Sequence, residues 1–307
     1  MAVRPPLVRV AADPAVLQFS YSSPAQSRSR RLLIQAVERA GGQRRLKRLY
    51  EDQVAAGTQQ GGDFFALAVA ALGLDVRVDH AALARVPTTG PILFVANHPY
   101  GVLDGLVLTW LASQVRPDVK VLANALLCRA PGTWEHLLPV DFDATEEAQR
   151  TTLASRIAAQ KWLKAGHAVG IFPGGGVSTS PQALRGPACD PPWHPFTAKL
   201  ILGAKATVVP VYFAGQNSRL FQIASHLSYT LRLSLLFRET VRRIGTRLEV
   251  SVGAPIAFEE LAVTGDRLAL VRDLRHRTFA LAQGHAPKQP LEAYAAEFHF
   301  PRRVSFR

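Results

Sequence analysis

The chain has 307 residues, 48% of them hydrophobic, and a formal charge of +13 from 36 Lys and Arg against 23 Asp and Glu. So much apolar material can bury a sizeable core, which excludes a disordered or collagen-like chain, and two cysteines cannot build a disulfide framework or a four-thiolate zinc site. The first ten residues contain no apolar core of signal-peptide type, and the longest apolar run, residues 64–74, falls well short of the roughly 18 residues that a membrane span needs.

In chain order, residues 27–40 and 43–56 carry apolar side chains three and four apart among Arg and Gln, which predicts two helices separated by Gly41 and Gly42. Residues 64–74 predict an apolar helix and 76–78 a short strand. The run ILFVA at 92–96, bounded by Pro91 and Asn97, reads as a fully buried parallel strand, followed by a helix over 103–111. A strand at 119–122 precedes a helix over 145–165, with Thr145 as its cap, Glu146 and Glu147 in the first turn and Gly166 beyond its end. Strands at 168–172, 207–213 and 248–252 and helices at 197–203 and 266–282 complete the pattern; Pro210 argues for an edge, bulge or terminal position in its strand. Alternating strands and helices predict an α/β fold with a mostly parallel central sheet flanked by helices and an N-terminal helical extension. Expected boundaries are a basic helical region over 1–60, a main domain over 61–285 and an irregular tail over 286–307.

Ligands of open α/β sheets sit beyond the carboxyl ends of the strands, so the loops after 92–96 and 168–172 are where chemistry is expected. The first reads Asn97-His98-Pro99-Tyr100-Gly101-Val102-Leu103-Asp104, a histidine at a strand exit with a carboxylate at the start of the next helix. Such a pair can deprotonate a hydroxyl, the carboxylate holding the imidazole tautomer; the alternative is an end-capping histidine and an N-cap aspartate. The second loop reads Phe172-Pro173-Gly174-Gly175-Gly176-Val177-Ser178. Its glycines match neither the dinucleotide fingerprint, which would need glycine in place of Thr179, nor a Walker loop, nor a G-x-S-x-G elbow. They can expose backbone amides to a substrate oxygen, or simply make a tight turn.

These segments resemble the PlsC-like glycerolipid acyltransferases. Asn97, His98 and Asp104 match the motif N-H-x4-D with one residue inserted. Phe172, Pro173, Gly175 and Ser178 match F-P-E-G-T-R-S, with departures at Gly174, Gly176 and Val177. Val209-Pro210-Val211 match a V-P-V strand, and the likeness covers about residues 75–255. The form NHPYGVLDG, together with segment 117–124 and Leu138-Pro139-Val140-Asp141, also looks like a hemolysin-type and ornithine-lipid acyltransferase branch. The resemblance implies an O-acyltransferase domain over 61–285. It would move a fatty acyl group from acyl-CoA or acyl carrier protein to a hydroxyl of a lysolipid, either a lysophospholipid or a lyso-aminolipid. His98 would be the general base and Asp104 its partner, with Asn97, Phe172, Pro173, Gly174, Gly175, Gly176, Val177 and Ser178 contacting substrate. No metal and no cofactor beyond the acyl-donor co-substrate is implied. The lost Glu and Arg of the third motif weaken the case for glycerol 3-phosphate or lysophosphatidic acid as acceptor and leave a lyso-aminolipid, another lysophospholipid or a glycolipid hydroxyl open.

Arginine clusters at 28–31, 44–48 and 242–247 read either as solvated helix faces or as a basic surface for anionic lipid. The second reading places the protein in the cytoplasm, peripheral on the inner face of the cell membrane, with the N-terminal region as its contact. Nucleic acid is not an expected partner, since no aromatic-flanked basic motif accompanies the charge. A catalytically silent lipid-binding relative and an acyl-thioester hydrolase stand as alternatives. Cys128 and Cys189 read as small buried hydrophobes, and His136, His167 and His194 lack zinc-ligand spacing. Asn124 and Arg129 are further candidates for the cleft.

Overall fold

Seven strands are laid down along the chain: β1 (Asp75–Val78), β2 (Ile92–Ala96), β3 (Lys120–Asn124), β4 (Leu137–Val140), β5 (Ala168–Ile171), β6 (Thr207–Phe213) and β7 (Arg247–Val252). They form one sheet in the order β1-β7-β6-β2-β5-β3-β4. Every neighbouring pair is parallel except β6 and β7, so β1 and β7 run against the other five. The structure is a computed structural model and describes residues 20–22, 26–130, 132–143, 145–263 and 265–282. The expected tail over 286–307 and the first residues of the N-terminal region lie outside these.

The continuous apolar run of β2 follows from its central place, with helices over both faces. Ile92, Phe94 and Ala96 enter one core and Leu93 and Val95 the other, so alternation separates the residues into two layers rather than into wet and dry faces. The first layer receives α4 (Phe64–Ala71) and α6 (Val102–Val115); the second receives α7 (Glu146–Lys164), α8 (Phe196–Ala204) and α13 (Arg267–Ala280).

Ahead of the sheet, α1 (Arg28–Ala40) starts on a Ser27 cap, and α2 (Gln43–Leu49) continues through a π-helical turn (Tyr50–Ala55) into α3 (Ala56–Gln59). Leu46, Tyr50 and Val54 are buried in the same core as Phe64 and Phe65, so these helices are packed onto the α/β body. Elements the pattern had not predicted are α5 (His80–Ala84), α9 (Arg219–Leu227), α10 (Tyr229–Ser234), α11 (Leu236–Arg242), α12 (Phe258–Ala262) and β4.

Two prolines account for one strand the pattern did not predict and for the place of another in the sheet. Pro139 hid β4, an edge strand in which the missing N–H costs no ladder bond to a further neighbour. Pro210 is not at an edge: β6 lies between β2 and β7, with Pro210 opposite Val95. The Pro210 carbonyl accepts from Gly253 N, so its N–H-less side faces β7 where that strand ends; pairing covers Val211–Phe213 and otherwise only an isolated Val208–Ile256 bridge.

Candidate active site

The loop after β2 is shaped by its own backbone needs. Gly101 is the N-cap of α6 with φ of +81°, and a Cβ there would meet Leu236 at 3.0 Å and Val177 at 3.2 Å, so the turn requires glycine. Asp104, three residues into the helix, reaches back so that one oxygen, Oδ2, accepts from Tyr100 N at 2.7 Å and Gly101 N at 2.9 Å. His98 Nδ1 lies 3.1 Å from that same oxygen, at hydrogen-bond distance but outside hydrogen-bond alignment. The other carboxylate oxygen is buried without a hydrogen-bond partner among the described residues. Burial pushes the Asp104 carboxyl above its ordinary range, and the His98 contact and two backbone N–H bonds offset part of that shift.

The imidazole is held from the other side by Phe172, stacked at 4.1 Å between ring centroids. The backbone of His98 is tied twice: its carbonyl accepts from Ser178 N of the glycine loop at 2.7 Å, and its N–H donates to Asp190 Oδ1, in a later loop, at 3.0 Å. Asp190 Oδ1 also accepts from Ser178 Oγ and its Oδ2 from Trp193 Nε1, so one buried carboxylate fastens three segments.

Beside the imidazole opens a cavity of about 340 Å³. Phe172, Pro173, Gly174, Gly175, Gly176 and Val177 line it as expected, as does Asn124. Two other expected substrate contacts do not. The Asn97 amide donates to Phe213 O and accepts from Phe213 N, locking β2 to β6, and Ser178 is turned toward Asp190. Tyr100 is likewise a fastener: its hydroxyl donates to Ala214 O at 2.6 Å and accepts from Arg243 Nη2 at 2.9 Å, and burial pushes it up to about 12. Residue types alone missed three participants. Asp190 is an acid in a Pro- and Trp-rich loop, while Arg156 and Arg232 reach the cavity wall from α7 and α10.

Burial pushes the thiols of Cys128 and Cys189 up to about 12, which removes the thiolate a nucleophile needs. His194, also on the cavity wall, is held below its ordinary range by burial and by Arg156. Among the described residues, no three His, Cys, Asp or Glu side chains converge as a metal-binding group.

The sheet thus carries a histidine against a fully buried carboxylate, on the wall of a largely apolar cavity. Residues 64–286 match the model of a family described as acyltransferase, and the chain belongs to that family. It is 25% identical over 197 residues to a lyso-glycine lipid O-acyltransferase of Phocaeicola vulgatus, covering 61% of this chain and 66% of that one, a little under two thirds of its length. It is also 25% identical over 193 residues to the lyso-glycine lipid O-acyltransferase of Bacteroides thetaiotaomicron, covering 61% and 68%. Among solved structures it is similar to the 1-acyl-sn-glycerophosphate (LPA) acyltransferase PlsC from Thermotoga maritima, with a TM-score of 0.44, 16% identity and coverage of 85% and 83%.

Proposed function

We propose that the protein transfers a fatty acyl group from a thioester, on coenzyme A or acyl carrier protein, to the hydroxyl of a lysolipid, with His98 as general base. The observation that carries this reading is the placement of His98, its Nδ1 against the buried Asp104 carboxylate and its ring on the cavity wall. With the Asp104 carboxylate 3.1 Å from Nδ1, a proton carried on Nδ1 faces an anion, which favours the tautomer in which Nε2 is the base. The acceptor hydroxyl gives its proton to Nε2 as its oxygen attacks the thioester carbonyl carbon. Collapse of the tetrahedral intermediate expels the thiolate, which takes the proton back from the imidazolium. Such a positioned base contributes roughly 10²- to 10⁴-fold, and the thioester is already an activated donor.

The apolar wall supports a lipid substrate. Leu122, Leu127, Val140, Phe142 and Leu236 border the cavity, and Val102 and Leu127 also border a neighbouring apolar cavity of about 90 Å³. The two relatives above are named for a lyso-glycine lipid, and a lyso-aminolipid acceptor fits the glycine loop, in which Gly174 and Val177 carry no charge. Peripheral attachment to the inner face of the membrane is part of the same proposal. No described helix is long and apolar enough to cross a bilayer, while α1 exposes Leu32 and Leu33 beside Arg28 and Arg31.

The test is acyl transfer from labelled long-chain acyl-CoA and acyl carrier protein to a panel of lysolipids, with products resolved by mass. Transfer that disappears in His98→Ala supports the reading. Free fatty acid released without acceptor would move it to a hydrolase, and no turnover by the wild type would leave a lipid-binding relative. Co-sedimentation with anionic vesicles at low salt, lost at high salt, is expected of the attachment; no pelleting at either salt would refute it.

A further inference from the structure

The net charge of the chain is gathered in two segments. Residues 26–48 and 214–243 hold thirteen Lys and Arg against two acids, Glu38 and Glu239, both buried, which leaves the rest of the chain close to neutral. The segments are far apart in sequence and adjoin in space: α1 packs on α10 and α11, α2 packs on α11, and α9 packs on α10. Arg28, Arg39, Arg44, Arg45, Arg219 and Arg242 are among the exposed cations of this layer.

The same helices expose aliphatic side chains. On α9, Phe221, Gln222 and Ser225 are buried, while Leu220 and Leu227 stand on the other side, two turns apart, with the partly buried Ile223 between them. Leu227 is 73% exposed, and Leu32 and Leu33 are exposed on α1. A nucleic acid would use the arginines and leave the leucines in water. An anionic leaflet uses both, its phosphates meeting the guanidinium groups and its acyl boundary the leucines. The α9 stripe also ends at the cavity: Leu227 closes α9, and two residues on Tyr229 opens α10 on the cavity wall, which Tyr21, Leu233 and Leu236 continue.

We propose that α9 is a second membrane contact: Leu220 and Leu227 insert into an anionic leaflet together with α1, and the edge of the cavity at Tyr229 is thereby held at the bilayer that supplies the lysolipid. This rests on the peripheral attachment proposed above and adds to it a contact on α9 and a point of entry. The experiment uses the full chain and vesicles of equal parts phosphatidylglycerol and phosphatidylcholine. Partition is measured by co-sedimentation for the wild type, for Leu220→Ser combined with Leu227→Ser, and for Leu153→Ser combined with Ile157→Ser. The last pair is an exposed apolar control on α7, over the other face of the sheet. For each protein the rate of acyl transfer to a vesicle-borne lysolipid is divided by the rate to the same lysolipid dispersed in neutral detergent.

The α9 double variant is expected to lose roughly tenfold or more in partition, and its rate ratio is expected to fall by a similar factor, whereas the α7 variant keeps both wild-type values. Each ratio comes from one preparation and does not depend on its folded fraction. Wild-type partition in the α9 variant, or an equal loss in the α7 variant, overturns the proposal and leaves the attachment in place. No partition by the wild type overturns both. Partition lost with an unchanged rate ratio overturns the point of entry. Partition needs no turnover, so its selective loss in the α9 variant of a protein that transfers nothing supports the membrane contact and refutes the transferase reading. Salt-dependent binding of an oligonucleotide without vesicle partition assigns the surface to nucleic acid and overturns the proposal.

Discussion

Among the described residues, two histidine–aspartate contacts lie at opposite ends of the parallel strands of the sheet, and their environments differ sharply. At the carboxyl end, His98 Nδ1 is 3.1 Å from Asp104, which is fully buried. At the amino end, His167 Nδ1 is 2.9 Å from Asp118, which is 28% exposed and also receives Nε and Nη2 of Arg116. Both imidazoles are stacked, His98 on Phe172 and His167 on Trp162 at 4.0 Å. Distance and stacking therefore do not distinguish the pair proposed as catalytic from the other. Burial without a cation raises the Asp104 carboxyl; at Asp118 the hydrogen bonds from Arg116 and His167 outweigh burial and hold the carboxyl below its ordinary range. The first pair carries a stored cost beside a cavity. The second is a clamp, in which Arg116 also donates to the Gly90 and Gly166 carbonyls and gathers the loops that enter β2, β3 and β5.

The largest effect is expected for His98→Ala, which should lower kcat/KM for acyl transfer by roughly 10³-fold or more with the melting temperature little changed. A variant with wild-type activity would remove the distinction between the pairs. Next is Asp104→Asn, expected to lose roughly 10²-fold or more, because the amide cannot stabilise the imidazolium. Its side-chain oxygen can still accept from Tyr100 and Gly101, so the turn survives.

The two pairs also differ in the sign of their pH dependence. A carboxyl raised in the folded state loses folding free energy as pH rises from the unfolded value, about 3.9, through the folded one, so Asp104 is a cost at neutral pH. Asp104→Asn should therefore match or exceed the wild type in melting temperature at pH 7, and a large drop would show the charge to be stabilising.

Asp118 carries the opposite sign. Its stabilisation is present above about pH 3.9 and is lost as pH falls through the lower folded value. Asp118→Asn should cost about 1–3 kcal/mol at pH 7 by denaturant titration, with the difference shrinking in acid and kcat/KM per folded molecule unchanged. The smallest effect belongs to His167→Ala, at most about 1 kcal/mol, since that ring is partly solvated. A loss of activity in either amino-end variant would show that the clamp reaches the site.

Much of this architecture was legible in the chain. ILFVA announced a central strand because burial on both faces leaves no polar position, and Thr145 with Glu146 and Glu147 announced the start of α7 because helix ends need partners for their free N–H groups. Residues 214–246 were not legible: α9, α10 and α11 are short, and their boundaries depend on what they pack against. Asn97 and Ser178 illustrate the same limit within the site. Both sit in motif positions, yet their polar groups are directed at Phe213 and Asp190 by strands and loops far along the chain.

What the sequence by itself determined is whatever is encoded over a few residues: the strand–loop–helix unit that carries His98 and Asp104 on one turn, the glycine loop after β5, and the absence of phosphate-loop spacing. Tertiary structure alone decided which charges meet. Asp190 reached His98 across 92 residues and Arg232 reached Val177 across 55, because the parallel sheet brings the carboxyl ends of successive strands to one edge whatever the length of chain between them. No local pattern records such encounters. Burial then separated two similar histidine–aspartate pairs, since desolvation is a property of everything packed around a group and not of the residues beside it in the chain.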